Sequence, residues 1–145
     1  MLSPLRRNGP FRTGSVSARP AAATALLYVE DELLTQELVQ LALQEAGYEV
    51  VVAENGAKAI ELIEKTSIGL IALITDVRVG EGPDGWHLAR RARELFAGLA
   101  IIYTSGQGNR EWMSNGVPHS VLISKPFAPA QVVIAVGALL NKAKG

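Results

Sequence analysis

From Ala25 onward, short apolar runs alternate with stretches of helical periodicity. Ala25-Leu26-Leu27-Tyr28-Val29, Leu70-Ile71-Ala72-Leu73-Ile74, Ala100-Ile101-Ile102-Tyr103 and Ser120-Val121-Leu122-Ile123 are too short for helices. Such nearly unbroken runs predict strands covered on both faces. Strands are predicted near 25–30, 49–53, 70–75, 100–104 and 120–124, and helices near 33–46, 56–65, 84–96, 109–115 and 128–141. Gly47 suits the position just past the first helix. Asn55 and Asp84 suit the caps of the second and third, and Pro129 the first turn of the last. Five repeated β-α units predict an α/β fold, a doubly wound five-stranded parallel sheet with helices on both faces. Residues 1–24 mix Ser, Pro, Arg, Gly and Ala without periodicity and are predicted to be a disordered extension. Residues 25–145 then form one domain, and the last helix leaves no room within the chain for a second.

Several of the predicted strands run into charge. Glu30 and Asp31 follow the first, Asp76 the third and Lys125 the fifth, while Ser105 follows the fourth. In open α/β sheets the carboxyl edge of the strands is where ligands bind. Carboxylates gathered there repel one another and raise one another's pKa, so keeping Glu30, Asp31 and Asp76 ionised calls for a cation. Oxygen-only ligands favour Mg²⁺ or Mn²⁺. Such a site can offset charge on a phosphoryl group while an aspartate attacks phosphorus. Ser105 and Lys125 suit phosphoryl oxygens as donor and point charge, and Pro126 can set a cis bond that aims Lys125 inward. Each residue also has a plainer reading. The Glu30-Asp31-Glu32 triplet suits a helix first turn, Ser105-Gly106 a turn pair, and Lys125 a solvated charge.

At 145 residues the chain suits one domain with a real core. It has no cysteine, which excludes disulfides, thiol nucleophiles and thiolate metal sites and fits a reducing compartment. Neither a bilayer-length apolar run nor a secretory leader is visible. The formal charge is zero, but residues 1–24 hold Arg6, Arg7, Arg12 and Arg19 and no acid. The remainder is therefore net negative, which argues against nucleic acid as a partner.

The ordered motifs Val29-Glu30-Asp31-Glu32, Ile74-Thr75-Asp76, Tyr103-Thr104-Ser105-Gly106 and Lys125-Pro126-Phe127 resemble those of response-regulator receiver domains, the CheY-like fold. Asn55-Gly56 and Asp84-Gly85 also fit. The resemblance covers residues 25–141 and implies a sheet order of 2-1-3-4-5. It implies that Asp76 accepts phosphate from a histidine kinase or phosphotransfer protein. Glu30, Asp31, Asp76 and the backbone carbonyl of Arg78 would hold Mg²⁺, and Ser105 and Lys125 would sense the phosphoryl group. The sequence departs from the family pattern in the long Gly-rich loop Val77-Arg78-Val79-Gly80-Glu81-Gly82-Pro83, where Arg78 can approach the phosphate or shield it. It departs again at Leu122, where the family often has an aromatic reporter, so that reporting would pass through Tyr103 or through Trp112 and Met113. No output domain follows, so the chain resembles a stand-alone receiver or one cut from a larger protein.

The leading expectation is a phosphorylation-switched signalling domain of a two-component system. It is not an enzyme acting on an outside metabolite. It is expected in the cytoplasm, as a monomer or weak homodimer, with an unknown downstream protein and neither membrane nor nucleic acid as partner. The alternative is a constitutive protein-interaction module with a vestigial phospho-site. An aspartate-nucleophile phosphatase of the haloacid dehalogenase type ranks lower, because its second acid would fall at Arg78. His87 and His119 read as packing or surface residues, and Arg90, Arg91 and Arg93 as a solvated face.

Overall fold

The computed structural model describes residues 24–65, 69–107 and 109–144. The strands are β1 (Thr24–Val29), β2 (Val50–Ala53), β3 (Gly69–Asp76), β4 (Ala100–Ser105) and β5 (Ser120–Ser124). The helices are α1 (Leu33–Glu45), α2 (Gly56–Lys65), α3 (Gly85–Leu95), α4 (Asn109–Asn115) and α5 (Pro129–Lys144). All strands pair in parallel, in the order β2-β1-β3-β4-β5. This is the expected 2-1-3-4-5 sheet. β1 begins at Thr24, one residue before the expected domain boundary, and the rest of the expected extension lies outside the described residues.

The strands are apolar throughout because both of their faces are covered. Leu27, Val29, Leu73, Ile101 and Tyr103 face one layer with Ala59 and Ile63 of α2 and Trp86, Leu88 and Ala92 of α3. Leu26, Tyr28, Ile74 and Ile102 face the other, with Val39 and Leu43 of α1 and Val132 and Val136 of α5. Side chains alternate between the two layers at the two-residue period of a strand.

The connections follow local chemistry. Glu32 caps α1 by accepting from the Thr35 backbone N–H at 2.9 Å. The helix ends in a Schellman motif: the Tyr48 N–H donates to the Leu43 carbonyl and the Gly47 N–H to the Gln44 carbonyl. Gly47 takes φ +99°, which a side chain would resist. Asn55 caps α2 through the Lys58 N–H at 2.8 Å, and Asp84 caps α3 through the His87 N–H at 3.0 Å. Two of the three arginines of α3 correct the expectation of a solvated face. Arg93 donates to the carbonyls of Leu99 (2.8 Å) and Pro118 (2.7 Å), and Arg91 pairs with Glu64 of α2. Both are half-buried straps, whereas Arg90 is exposed.

The Gly-rich segment after β3 docks onto the start of α2. The Ala57 N–H donates to the Glu81 carbonyl at 3.0 Å. A Cβ on Gly56 would stand 1.9 Å from the Pro83 carbonyl oxygen, and one on Gly82 (φ +95°) would stand 2.3 Å from the Ala57 nitrogen. The two backbones approach this closely only because both positions are glycine.

Candidate functional site

Parallel pairing brings four strand ends to one edge. Asp76 lies beside Thr104 in register, and Ser105 lies beside Ser124. Glu30 continues β1 and Lys125 continues β5, so the residues singled out from sequence meet over the central strands. Carboxylate oxygens of Glu30, Asp31 and Asp76 all lie within 4.8 Å of one another.

The acidic triplet divides its labour. Glu32 caps the helix and Asp31 is exposed, whereas Glu30 turns inward and is fully buried. Its carboxylate accepts from the Glu32 N–H at 3.1 Å and lies 3.5 Å from the Tyr28 hydroxyl. Its backbone carbonyl accepts from Gln36 Nε2 at 2.9 Å. Burial pushes the Glu30 pKa above its ordinary value, against the Glu32 N–H and Lys125, which pull it down. Burial likewise raises the Tyr28 hydroxyl, with the Glu30 charge adding to it. Sequence reading missed Tyr28 and Gln36 as supports of Glu30. The alternation of the strand places Tyr28 on the same face as Glu30, which was the available signal for it.

Asp76 is 7% exposed. Lys125 Nζ stands 2.5 Å from its Oδ2 and 3.9 Å from Glu30 Oε1. Burial works to lower the lysine's pKa, but the hydrogen bond and charge of Asp76, with Glu30 and Asp31, outweigh it and the pKa is raised. The lysine is thus held charged against the acids. The Lys125–Pro126 peptide bond is cis. An open cleft of about 460 Å³ lined by Glu32, Thr35, Lys125, Pro126 and Phe127 adjoins this ammonium.

Ser105 reaches the same edge, but its hydroxyl is engaged locally. It donates to the Gln107 carbonyl at 2.8 Å and accepts from the Gln107 N–H at 3.0 Å. Thr104 Oγ1 is buried without a hydrogen-bond partner among the described residues. The Arg78 N–H lies 3.4 Å from Asp76 Oδ1. Its guanidinium pairs with Glu111 on α4, a partner that sequence reading missed. The aromatic residues proposed as reporters sit differently. Tyr103 is buried against Trp86, with ring centroids 4.6 Å apart, and its hydroxyl accepts from the Val117 N–H. Trp112 is half-buried and donates to Ser120 Oγ at 3.0 Å, whereas Met113 is exposed. Leu122 packs against the core, and His87 and His119 are exposed.

The donor set at this edge is oxygen only, with one carboxylate open to solvent and two buried, which suits a hard divalent cation. Three acids, a hydroxyl and a lysine at the carboxyl edge of a 2-1-3-4-5 sheet define a receiver-type α/β module. The chain belongs to the response regulator receiver domain family, whose model it matches over residues 26–137. It is 41% identical to a response regulator receiver protein from Sinorhizobium medicae WSM419, with a TM-score of 0.78 over 84% of this chain and 97% of that one. It is 31% identical over 119 residues to the aerobic respiration control protein ArcA of Escherichia coli (strain K12), covering 81% of this chain and 48% of that protein. It is 34% identical over 122 residues to the transcriptional regulatory protein ResD of Bacillus subtilis (strain 168), covering 83% and 49%. The chain thus spans about half the length of the curated relatives it matches. No helix among the described residues is long and apolar enough to cross a membrane.

Proposed function

We propose that this receiver domain accepts a phosphoryl group on Asp76, from a histidine kinase or a histidine phosphotransfer protein, and that the modification switches the binding of a downstream protein. The observation that carries the reading is the acceptor's setting. Asp76 has a lysine ammonium 2.5 Å from one oxygen and two further acids within 4.8 Å.

Glu30, Asp31, Asp76 and the Arg78 carbonyl would hold Mg²⁺, which when bound would offset the negative charge of the phosphoryl oxygens. The chain's own groups do the rest. An Asp76 carboxylate oxygen forms the new bond to phosphorus as the phosphorus–nitrogen bond of the donor phosphohistidine breaks. The bonding pair returns to the imidazole nitrogen. Lys125 exchanges part of its pairing with Asp76 for a phosphoryl oxygen, and Ser105 trades its Gln107 partners for another. Both exchanges pull β4, β5 and their loops toward the acceptor. That biases a two-state equilibrium of this face.

The helix α1, which starts just after Asp31 and Glu32, exposes Leu33, Leu34, Leu38 and Leu41, which supports a protein as phosphodonor. The reaction modifies the chain itself, so the protein is a switch and not an enzyme for an external metabolite. The close Lys125–Asp76 pair speaks for a working site over a vestigial one. Incubation with Mg²⁺ and acetyl phosphate, read by intact mass, tests the reading. One added phosphoryl group on the wild type and none on Asp76→Asn is expected. An unmodified wild type, or equal modification of both, would overturn it.

A further inference from the structure

Arg78 is tied at both ends. Its backbone N–H faces Asp76 Oδ1 at 3.4 Å, and its Nη2 lies 3.4 Å from each oxygen of Glu111, 33 residues along the chain on α4. Glu111 precedes Trp112, which holds α4 to β5 through Ser120. The loop that follows the acceptor is therefore joined to α4 by an ion pair. That pair is weakly held. The two side chains are 66% and 44% exposed, and such pairs contribute only about 0.2–1 kcal/mol.

A phosphoryl group on Asp76 would change the competition. It brings nearly two negative charges and three acceptor oxygens to a point two residues from Arg78. A guanidinium binds a phosphoryl group through paired, charge-assisted hydrogen bonds. An exposed carboxylate at 3.4 Å is the weaker partner.

We propose that the Arg78–Glu111 pair is a tether between the acceptor loop and α4 that phosphorylation releases, the guanidinium leaving Glu111 for the phosphoryl oxygens. The proposal rests on Asp76 being the phosphoacceptor. No covalent bond changes in the exchange. Before phosphorylation, Glu111 competes for Arg78 and weakens the site for a phosphoryl group. Afterwards, α4 has lost its link to the loop and the surface around Trp112 is free to shift.

The test uses the full chain labelled with 5-fluorotryptophan, in Mg²⁺, titrated with beryllofluoride as the phosphoryl mimic. Fluorine NMR reads bound beryllofluoride and the Trp112 signal together, with Trp86→Phe used only for assignment. Glu111→Gln is expected to tighten beryllofluoride binding by about 1.4- to 5-fold, the equivalent of the pair's worth. It is also expected to move the Trp112 signal of the free protein toward its beryllofluoride-bound position. In an Arg78→Gln background the same Glu111→Gln change should have no effect on affinity, which isolates the pair from general charge. An equal effect in both backgrounds, no effect in either, or an unmoved Trp112 signal would overturn the tether while leaving the phosphoacceptor reading intact. Absence of beryllofluoride binding to the wild type would overturn both.

Discussion

The middle of the sheet and its carboxyl edge are built from the same strands under opposite rules. In the middle, Leu27, Leu73, Ile74 and Ile102 are fully buried between two helix layers and contribute stability. Only a few residues on, the same strands deliver Glu30, Asp76, Ser105 and a Thr104 hydroxyl without a partner among the described residues into buried positions. Burying such groups costs stability unless partners offset it. Lys125 offsets part of the cost, and the remaining mutual repulsion is what a bound cation would relieve. The sheet's apolar centre supports an edge that is poorly stable by itself, which is the arrangement expected where chemistry is done.

Substitutions can break this contrast at either end. The largest effect is expected in the centre. Leu73→Ala should lower unfolding stability by about 2–5 kcal/mol in denaturant melts, because it opens a cavity in a close-packed layer. Next, Lys125→Ala leaves Asp76 beside Glu30 without its cation. It should cost about 1–3 kcal/mol in the metal-free protein. It should still permit some phosphorylation by acetyl phosphate while blunting the conformational response, read by fluorescence.

Smaller effects should carry the opposite sign. Burial raises the Glu30 pKa above its ordinary 4.5 in the folded protein. The stability this group contributes is therefore full below 4.5 and lost as pH rises through the folded-state value. Metal-free Glu30→Gln should lack that fall and melt higher than wild type at pH 7, by roughly 1 kcal/mol or less. Thermal melts from pH 4 to 8 in chelator check it, and a steeper fall in the variant would count against the assignment. Smallest of all, Thr104→Val should be neutral or stabilising by about 1 kcal/mol at most, since the Thr104 hydroxyl makes no hydrogen bond among the described residues.

Much of the fold was legible because unbroken apolar runs on short strands admit few arrangements other than a sheet covered on both faces. The five strands and five helices fall where periodicity and caps predict them, within a few residues. Asp76 and Lys125 were legible for the same reason, since a strand that ends in charge must deliver it to the edge. Glu30 was singled out for the edge, but that Glu32 alone of the acidic triplet would cap α1 was not legible. Both are glutamates at a helix entry, and only the turn of the backbone sends one into the core and the other to the cap. The Arg78–Glu111 pair and the Arg93 straps to Leu99 and Pro118 join distant segments. No local pattern signals such contacts, so Arg93 reads as solvated until the fold brings its partners close. Gly82 of the loop after Asp76 was visible as part of a departure, but its reason, backbone contact with α2, is tertiary.

The claim that the edge is destabilised for the sake of a cation is tested most directly by thermal melting with and without Mg²⁺. At a Mg²⁺ concentration about tenfold above its dissociation constant, the wild type should gain about 1.4 kcal/mol, or roughly 3–6 °C in Tm. In Asp31→Asn, which removes the exposed acid of the cluster and leaves the buried pair intact, the gain should largely vanish. Equal Mg²⁺ shifts in the two proteins, or none in the wild type, would contradict the account.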